Sequence, residues 1–125
     1  MFQAVSKTLL SWYHEQYKYL KLTPGFILTL HTFGRDDKWN VHIHCLLSER
    51  VLGNNIEKKM DFISFDMLRK RFQKILLDLL EKDIGKNTFR PIKNKVYSLS
   101  QNGFYVRAIK NEFPDSKKAI SYVLR

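Results

Sequence analysis

The fold is decided by residues 26–48, which read FILTLHTFGRDDKWNVHIHCLLS. Residues 26–33 and 40–48 are two β-prone runs, rich in β-branched, aromatic and leucine side chains. Between them, residues 34–39 contain a glycine, two aspartates and a lysine and are turn-like. Two such runs joined by a short polar segment predict an antiparallel hairpin. The position of every side chain on this hairpin depends on how its strands are paired.

A histidine pair, His42 and His44, lies in the second run. Residues i and i+2 of a strand point to the same side, so both imidazoles are directed to one face of the hairpin. If Phe33 is paired with Asn40, His31 falls opposite His42 and a third imidazole joins that face. A slip of one residue in this register would move His31 to the other face.

Three imidazoles, or two imidazoles and an oxygen ligand, could hold a divalent metal ion and leave coordination positions open for water or substrate. Such open positions are typical of a catalytic metal site. Ligand softness favours zinc, nickel or copper over magnesium. Glu49, just beyond the second strand, is an alternative third ligand. The competing interpretation is that these histidines are ordinary hydrogen-bonded residues of a strand.

Composition favours a nucleic-acid partner. The 125 residues include 22 Lys and Arg against 12 Asp and Glu, for a net charge of +10, and such a balance attracts a polyanion. A membrane surface is the alternative, but no apolar stretch approaches the roughly 20 residues that span a bilayer, and no leader peptide begins the chain. The single cysteine, Cys45, is predicted to be a small core residue and fits a reducing compartment. We therefore expect a soluble, cytoplasmic protein.

Helical and strand patterns alternate along the rest of the chain, which predicts an α+β fold with helices packed on an antiparallel sheet built from two hairpins. The second hairpin is predicted from the Asn102-Gly103 pair between two β-prone runs. The remaining segments are predicted, in chain order, as a helix over the first twenty residues, a surface loop at 49–63, a helix at 64–84, strands at 95–100 and 104–110, and a final helix after Asp115.

Tyr122 lies in the final helical segment, with Lys118 four residues before it and Arg125 three residues after it. At these spacings both cations share the helix face of the tyrosine. They would favour a phenolate and attract a phosphate, which are two requirements of a tyrosine nucleophile. The alternative is that the ring packs on the sheet and its hydroxyl faces water.

Four segments resemble a known family. Residues 24–34, PGFILTLHTFG, and 39–47, WNVHIHCLL, resemble the core motif of the two-tyrosine HUH transposases of rolling-circle insertion sequences. Residues 119–125, AISYVLR, are similar to the start of that family's tyrosine motif, in which two tyrosines lie four residues apart on one helix. With residues 102–106, NGFYV, the resemblance extends over nearly the whole chain.

The resemblance implies an HUH-type DNA endonuclease and strand transferase, a transposase whose partner is single-stranded DNA. His42 and His44, with His31 as a third ligand, would hold Mg²⁺ or Mn²⁺ to polarise the scissile phosphate, and the softness of imidazole keeps zinc open. Tyr122 would attack that phosphate, form a 5′-phosphotyrosine link and release a 3′-hydroxyl. The family also implies rolling-circle DNA transposition and recombination in a bacterial cytoplasm, with association to the nucleoid, and it allows a homodimer.

The resemblance further implies one HUH-type catalytic core over residues 1–125, of the ferredoxin-like type. A second tyrosine would fall immediately beyond Arg125, and the sequence lacks the cysteine-rich zinc module that usually precedes this core. We therefore expect a domain that is incomplete at its C-terminus. The alternative function is a non-catalytic remnant that binds single-stranded nucleic acid. A third interpretation is a structural histidine cluster or an unrelated metal hydrolase.

Five residues are predicted to contact DNA. Basic side chains supply salt-dependent contacts to phosphate, and an exposed aromatic ring stacks on unpaired bases. The predicted contacts are Lys118, Arg125, Arg35, Lys38 and, as the stacking ring, Trp39, for which Phe104 and Tyr105 are alternatives.

Overall fold

The computed structural model describes residues 1–34, 38–60, 63–108 and 115–124, apart from the side chains of Ser116 and Tyr122. Its elements are α1 (Phe2–Gln16), β1 (Thr23–Phe33), β2 (Trp39–Gly53), β3 (Ile56–Lys59), α2 (Phe65–Ile84), α3 (Lys86–Leu99) and α4 (Ser116–Val123). The strands form one antiparallel sheet in the order β1-β2-β3, with helices packed on it. The predicted α+β class is confirmed. None of the described helices combines the length and apolar character needed to pass through a membrane.

The β1–β2 hairpin has the predicted register at the histidines. His31 lies opposite His42, as predicted. Phe33, however, lies opposite Trp39 and not opposite Asn40, because the register shifts between His31 and Phe33. β2 contains one more residue than β1 in this interval, which makes a β-bulge.

The second hairpin is formed by β2 and β3, within the segment 49–63 that the sequence predicted as a loop. Gly53 is paired with Ile56, so Asn54 and Asn55 form a two-residue turn. Both asparagines have positive φ, 47° and 61°, as in a type I′ turn, and asparagine tolerates this backbone better than most residues. All four residues of β3 are exposed. An exposed strand needs no apolar face, which explains why the sequence pattern did not indicate it.

The hairpin predicted over residues 95–110 is wrong. Residues 95–99 belong to α3, and none of the described residues from 100 to 108 forms a strand. Pro91 lies inside α3 and does not end it. Packing against the rest of the domain follows a helical spacing here, which overrides the short β-prone run. The buried or half-buried residues at this spacing are Phe89, Lys93, Val96 and Tyr97.

Gly103 allows a close backbone contact and does not form the predicted hairpin turn. Its φ is 85°, and a Cβ at this position would lie 2.4 Å from the carbonyl carbon of Arg69 in α2. The chain after α3 can therefore pass directly over the α2 backbone. The next residue, Phe104, donates its N–H to the Arg69 carbonyl at 3.3 Å. The Arg69 guanidinium in turn donates to the Val106 carbonyl at 3.2 Å.

Gly103→Ala is expected to destabilise the domain by about 3 kcal/mol, because the methyl group adds overpacking against backbone atoms to the cost of a positive φ. Gly85→Ala is the matched control. Gly85 has a φ of 102°, but no atom lies within 4 Å of the position that an added Cβ would occupy. The unfolding free energy is therefore expected to fall by about 1–2 kcal/mol, from the backbone alone. Urea denaturation measures both. Equal losses of unfolding free energy would contradict the close contact at Gly103.

The core lies at the end of the sheet away from the histidines, where α1 and α2 meet β1 and β2. Burial of each large apolar side chain contributes about 1.5–3 kcal/mol. The Tyr13 hydroxyl donates to the Met60 sulfur at 2.9 Å, and burial raises the pKa of Tyr13 to about 12. The core residues are Trp12, Tyr13, Leu22, Val51 and Leu68.

Cys45 is exposed and is not the core residue that the sequence predicted. It precedes the part of β2 that contributes Val51 to the core. Its position in β2 still puts it on the face opposite His44, as strand alternation requires. The histidine end of the sheet is therefore covered less completely than the end that holds the core.

Candidate metal centre

Three partly buried histidines form a cluster on one face of the β1–β2 hairpin. His31 comes from β1, and His42 and His44 come from β2. One ligand-capable atom from each ring lies within 4.8 Å of the others. The His31 and His44 rings are stacked with centroids 4.3 Å apart, and the His42 and His44 centroids are 5.0 Å apart. Within the described residues, these are the side chains that could hold a metal ion.

The His42 ring is oriented by a backbone carbonyl at the β-bulge. Its Nδ1–H donates to the Asn40 carbonyl, 2.7 Å away, and ligand histidines are typically fixed through their second nitrogen in this way. The lone pair of His42 Nε2 then faces His44, whose Nε2 is 3.1 Å away. Two nitrogens bound at about 2.1 Å to one ion lie about 2.9–3.4 Å apart in octahedral or tetrahedral geometry. The separation of the two nitrogens therefore matches that of two ligands of one divalent cation.

The electrostatics of the cluster favour a neutral His44. Burial, followed by the proximity of His31 and His42, lowers its pKa below the ordinary value. Neutral imidazole is the form that has a lone pair for a metal ion. Glu49, the alternative third ligand, is not part of the cluster. It instead forms an ion pair with Lys59 at 4.0 Å.

Helix α4 contacts the cluster through its last turn. The His31 Nε2–H donates to the Val123 carbonyl, 3.2 Å away. Carbonyls at the C-terminus of a helix lack intrahelical partners, so the imidazole supplies a missing donor. While this bond lasts, His31 has only Nδ1 to offer to a metal ion, because a protonated ring nitrogen has no free lone pair. Val123 directly follows Tyr122, so the backbone of the tyrosine belongs to the turn that contacts the cluster.

α4 is packed on one side and capped at its N-terminus. Ala119 and Val123 are 6% and 4% exposed, so one side of the helix is buried. At its N-terminus the Asp115 carboxylate accepts a hydrogen bond from the Lys118 N–H at 2.8 Å, which is the cap that the sequence predicts. The buried side, with the contacts between α4 and β2, sets the position of this helix against the sheet.

The predicted DNA contacts are only partly described by the structure. Lys118 is exposed on α4, and Lys38 is exposed directly before β2. Arg35 and Arg125 lie outside the described residues, as does the side chain of Tyr122. The arrangement of two cations around the phenol therefore stays a prediction.

Phe33 lies beside the cluster and was missed by the sequence analysis. Its ring packs edge to face against Trp39, with centroids 5.5 Å apart and planes at 85°. The two residues are 55% and 71% exposed. Phe33 follows His31 by two residues in β1, which places both on the same face of the sheet. Strand alternation was a sufficient signal for Phe33, but its contact with Trp39 depends on the bulge.

Family membership follows from residues 25–125, whose sequence matches the model of a family described as "Putative transposase". The chain belongs to this transposase family. No curated protein and no solved structure matches it at a significant level. The matched residues include β1 from its third residue onward, all of β2, the three histidines of the cluster and α4.

A transposase acts on DNA, and two features of this protein suit that substrate. The net charge of +10 attracts a polyanion. The histidine cluster is only partly buried, so a phosphate can approach a metal ion held there. The transposase therefore combines a basic chain with a candidate metal centre that is joined to helix α4.

Proposed function

We propose that this transposase nicks and joins single-stranded DNA through a covalent bond to Tyr122, with Mg²⁺ or Mn²⁺ held by the histidine cluster. The observation that carries the proposal is the hydrogen bond from His31 to the Val123 carbonyl, at 3.2 Å. It joins the helix that contains Tyr122 to the candidate ligands. A tyrosine nucleophile and a metal ion must act on the same phosphate, so they must be close together.

The proposed reaction transfers one phosphoryl group of the DNA from a 3′ oxygen to the phenol oxygen of Tyr122. The Tyr122 Oη attacks the scissile phosphorus and its proton passes to solvent. The bond from phosphorus to the 3′ oxygen breaks, and the released oxygen takes a proton to become a 3′-hydroxyl. The downstream DNA stays bound to the tyrosine through its 5′ phosphate. Attack by a 3′-hydroxyl on this link reverses the step and joins two ends, so no external energy source is needed.

His42 and His44 are the proposed principal ligands, and the bond from His42 to the Asn40 carbonyl orients the first of them. His31 is the proposed third ligand. A bound divalent ion would supply Lewis acidity that polarises the phosphate and stabilises the charge of the transition state. Imidazole also binds zinc well, so zinc is an arm of the test.

Lys118 is the proposed phosphate-attracting cation on α4. It is exposed and lies one helical turn before Tyr122, a spacing at which two side chains share one face. A cation at this position would raise the local concentration of phosphate and favour ionisation of the phenol.

Metal-dependent nicking tests the proposal. A pool of single-stranded DNA of random sequence, labelled at its 3′ end, is incubated with the protein in Mn²⁺, Mg²⁺, Zn²⁺ or EDTA and separated in SDS. We expect a covalent protein–DNA species in Mn²⁺ or Mg²⁺, at least about a hundredfold more abundant than in EDTA. DNA binding without any covalent species would contradict the proposal and support the non-catalytic alternative. Zinc retention without DNA binding would support a structural cluster.

A further inference from the structure

We infer that Phe33 and Trp39 form a stacking site for one unpaired base of the DNA strand. This inference rests on the proposed function and specifies how single-stranded DNA is distinguished from duplex. Although the two rings contact each other, with centroids 5.5 Å apart, they remain 55% and 71% exposed. Large exposed aromatic surfaces beside a candidate active site indicate a ligand that covers them.

The pair lies next to the metal centre. Phe33 follows His31 by two residues, which corresponds to about 7 Å along a strand. In β2 the bulge between Trp39 and His42 brings Trp39, and not Asn40, opposite Phe33. A base stacked on these rings and a phosphate at the histidine cluster can therefore belong to neighbouring nucleotides of one strand.

The edge-to-face geometry leaves flat ring surface available to a base. In such a pair one ring contributes only its edge to the contact, so neither of its faces is used by the partner ring, and the partner uses only one of its own faces. A nucleobase stacks on such a surface whatever its identity, because every base has a π-face. Bases within a duplex are enclosed in the helical stack and cannot reach it unless they are flipped out. The site would therefore bind unpaired bases and not duplex DNA.

Charge complementarity favours DNA over an apolar protein partner. Lys38 directly precedes Trp39 and is exposed, and the chain has a net charge of +10. A DNA strand presents a phosphate beside every base. One bound strand would therefore cover the aromatic rings with a base and the nearby cations with phosphates at the same time.

Equilibrium binding in EDTA tests the inference, with fluorescein-labelled oligothymidylate and a mixed-sequence duplex as probes. Trp39→Ala is expected to weaken oligothymidylate binding about tenfold. Its duplex affinity and the salt dependence of binding should stay as in wild type, because no phosphate contact is lost. Trp39→Phe keeps a ring and should retain most of the affinity. Tyr19→Ala is the matched control. It removes a ring that is 90% exposed and lies shortly before the start of β1, at the end of the strand away from the histidines.

Tryptophan fluorescence provides a second measurement. The chain has two tryptophans, and Trp12 is only 3% exposed, so quenching by oligothymidylate would come from Trp39 and should disappear in Trp39→Phe. Equal losses of single-strand and duplex affinity in Trp39→Ala would overturn the inference, as would unchanged affinity without quenching. A dimer that Trp39→Ala disrupts would assign the rings to a second copy and would also overturn it. Neither measurement requires a metal ion or Tyr122, so failure of nicking and failure of stacking are distinguishable.

Discussion

The variant Tyr122→Phe is expected to form no covalent protein–DNA species and to nick single-stranded DNA at least about a thousandfold more slowly than wild type. The substitution removes one oxygen, the atom proposed to attack phosphorus, and keeps the aromatic ring. A water molecule replaces this oxygen poorly because it is not positioned by the helix. Rates are measured with the 3′-labelled random pool in Mn²⁺.

Tyr105→Phe is the matched control for this experiment. Tyr105 is 78% exposed and lies outside α4, so it offers a phenol to solvent without a link to the histidine cluster. Its variant should nick as wild type does. Wild-type nicking by Tyr122→Phe, or loss of nicking in the Tyr105 variant alone, would assign the nucleophile to a different residue.

The double variant His42→Ala/His44→Ala is expected to lose Mn²⁺ binding and to reduce nicking by about a thousandfold or more. The His42 and His44 Nε2 atoms are 3.1 Å apart, so a single ion can contact both, whereas His31 alone offers it one imidazole. Binding to the folded state stabilises a protein, by about 2.7 kcal/mol at a hundredfold excess over Kd. An increase in the unfolding temperature with Mn²⁺ in wild type, absent in the double variant, therefore reports metal binding independently of activity.

His14→Ala is the control for this pair. His14 is an exposed histidine in the last turn of α1, outside the cluster. Its variant should keep both the Mn²⁺-dependent stabilisation and the nicking rate. A double variant that is still stabilised by Mn²⁺ would place the metal elsewhere, and one that loses stabilisation but nicks normally would separate the metal from the chemistry.

The histidine cluster was predictable from the sequence because strand geometry is regular. Alternation with a period of two puts His42 and His44 on one face, and antiparallel pairing brings His31 opposite His42. The pairing of Phe33 with Asn40 that the sequence analysis assumed is wrong, but the register it implied at the histidines is the observed one, because the bulge lies between the turn and the cluster. The helix caps at Asp115 and Gly85 were also predictable, because they depend on local backbone geometry.

The remaining features depend on tertiary contacts that no local pattern encodes. The β-bulge moves Trp39 opposite Phe33 and leaves the Asn40 carbonyl for His42. The bond from His31 to Val123 joins residues far apart in the chain. A short β-prone run and Asn102-Gly103 also predicted a hairpin where packing on α2 instead requires α3 and a close backbone contact. At residues 95–99 tertiary packing overrides the local preference.

The most direct test of the account is to locate the covalent bond between protein and DNA. The species trapped in Mn²⁺ is digested with protease and nuclease, and the modified peptide is identified by mass spectrometry. We expect a nucleotide linked through its 5′ phosphate to the hydroxyl of Tyr122. A link to any other residue, or a link through a 3′ phosphate, would contradict the proposed mechanism.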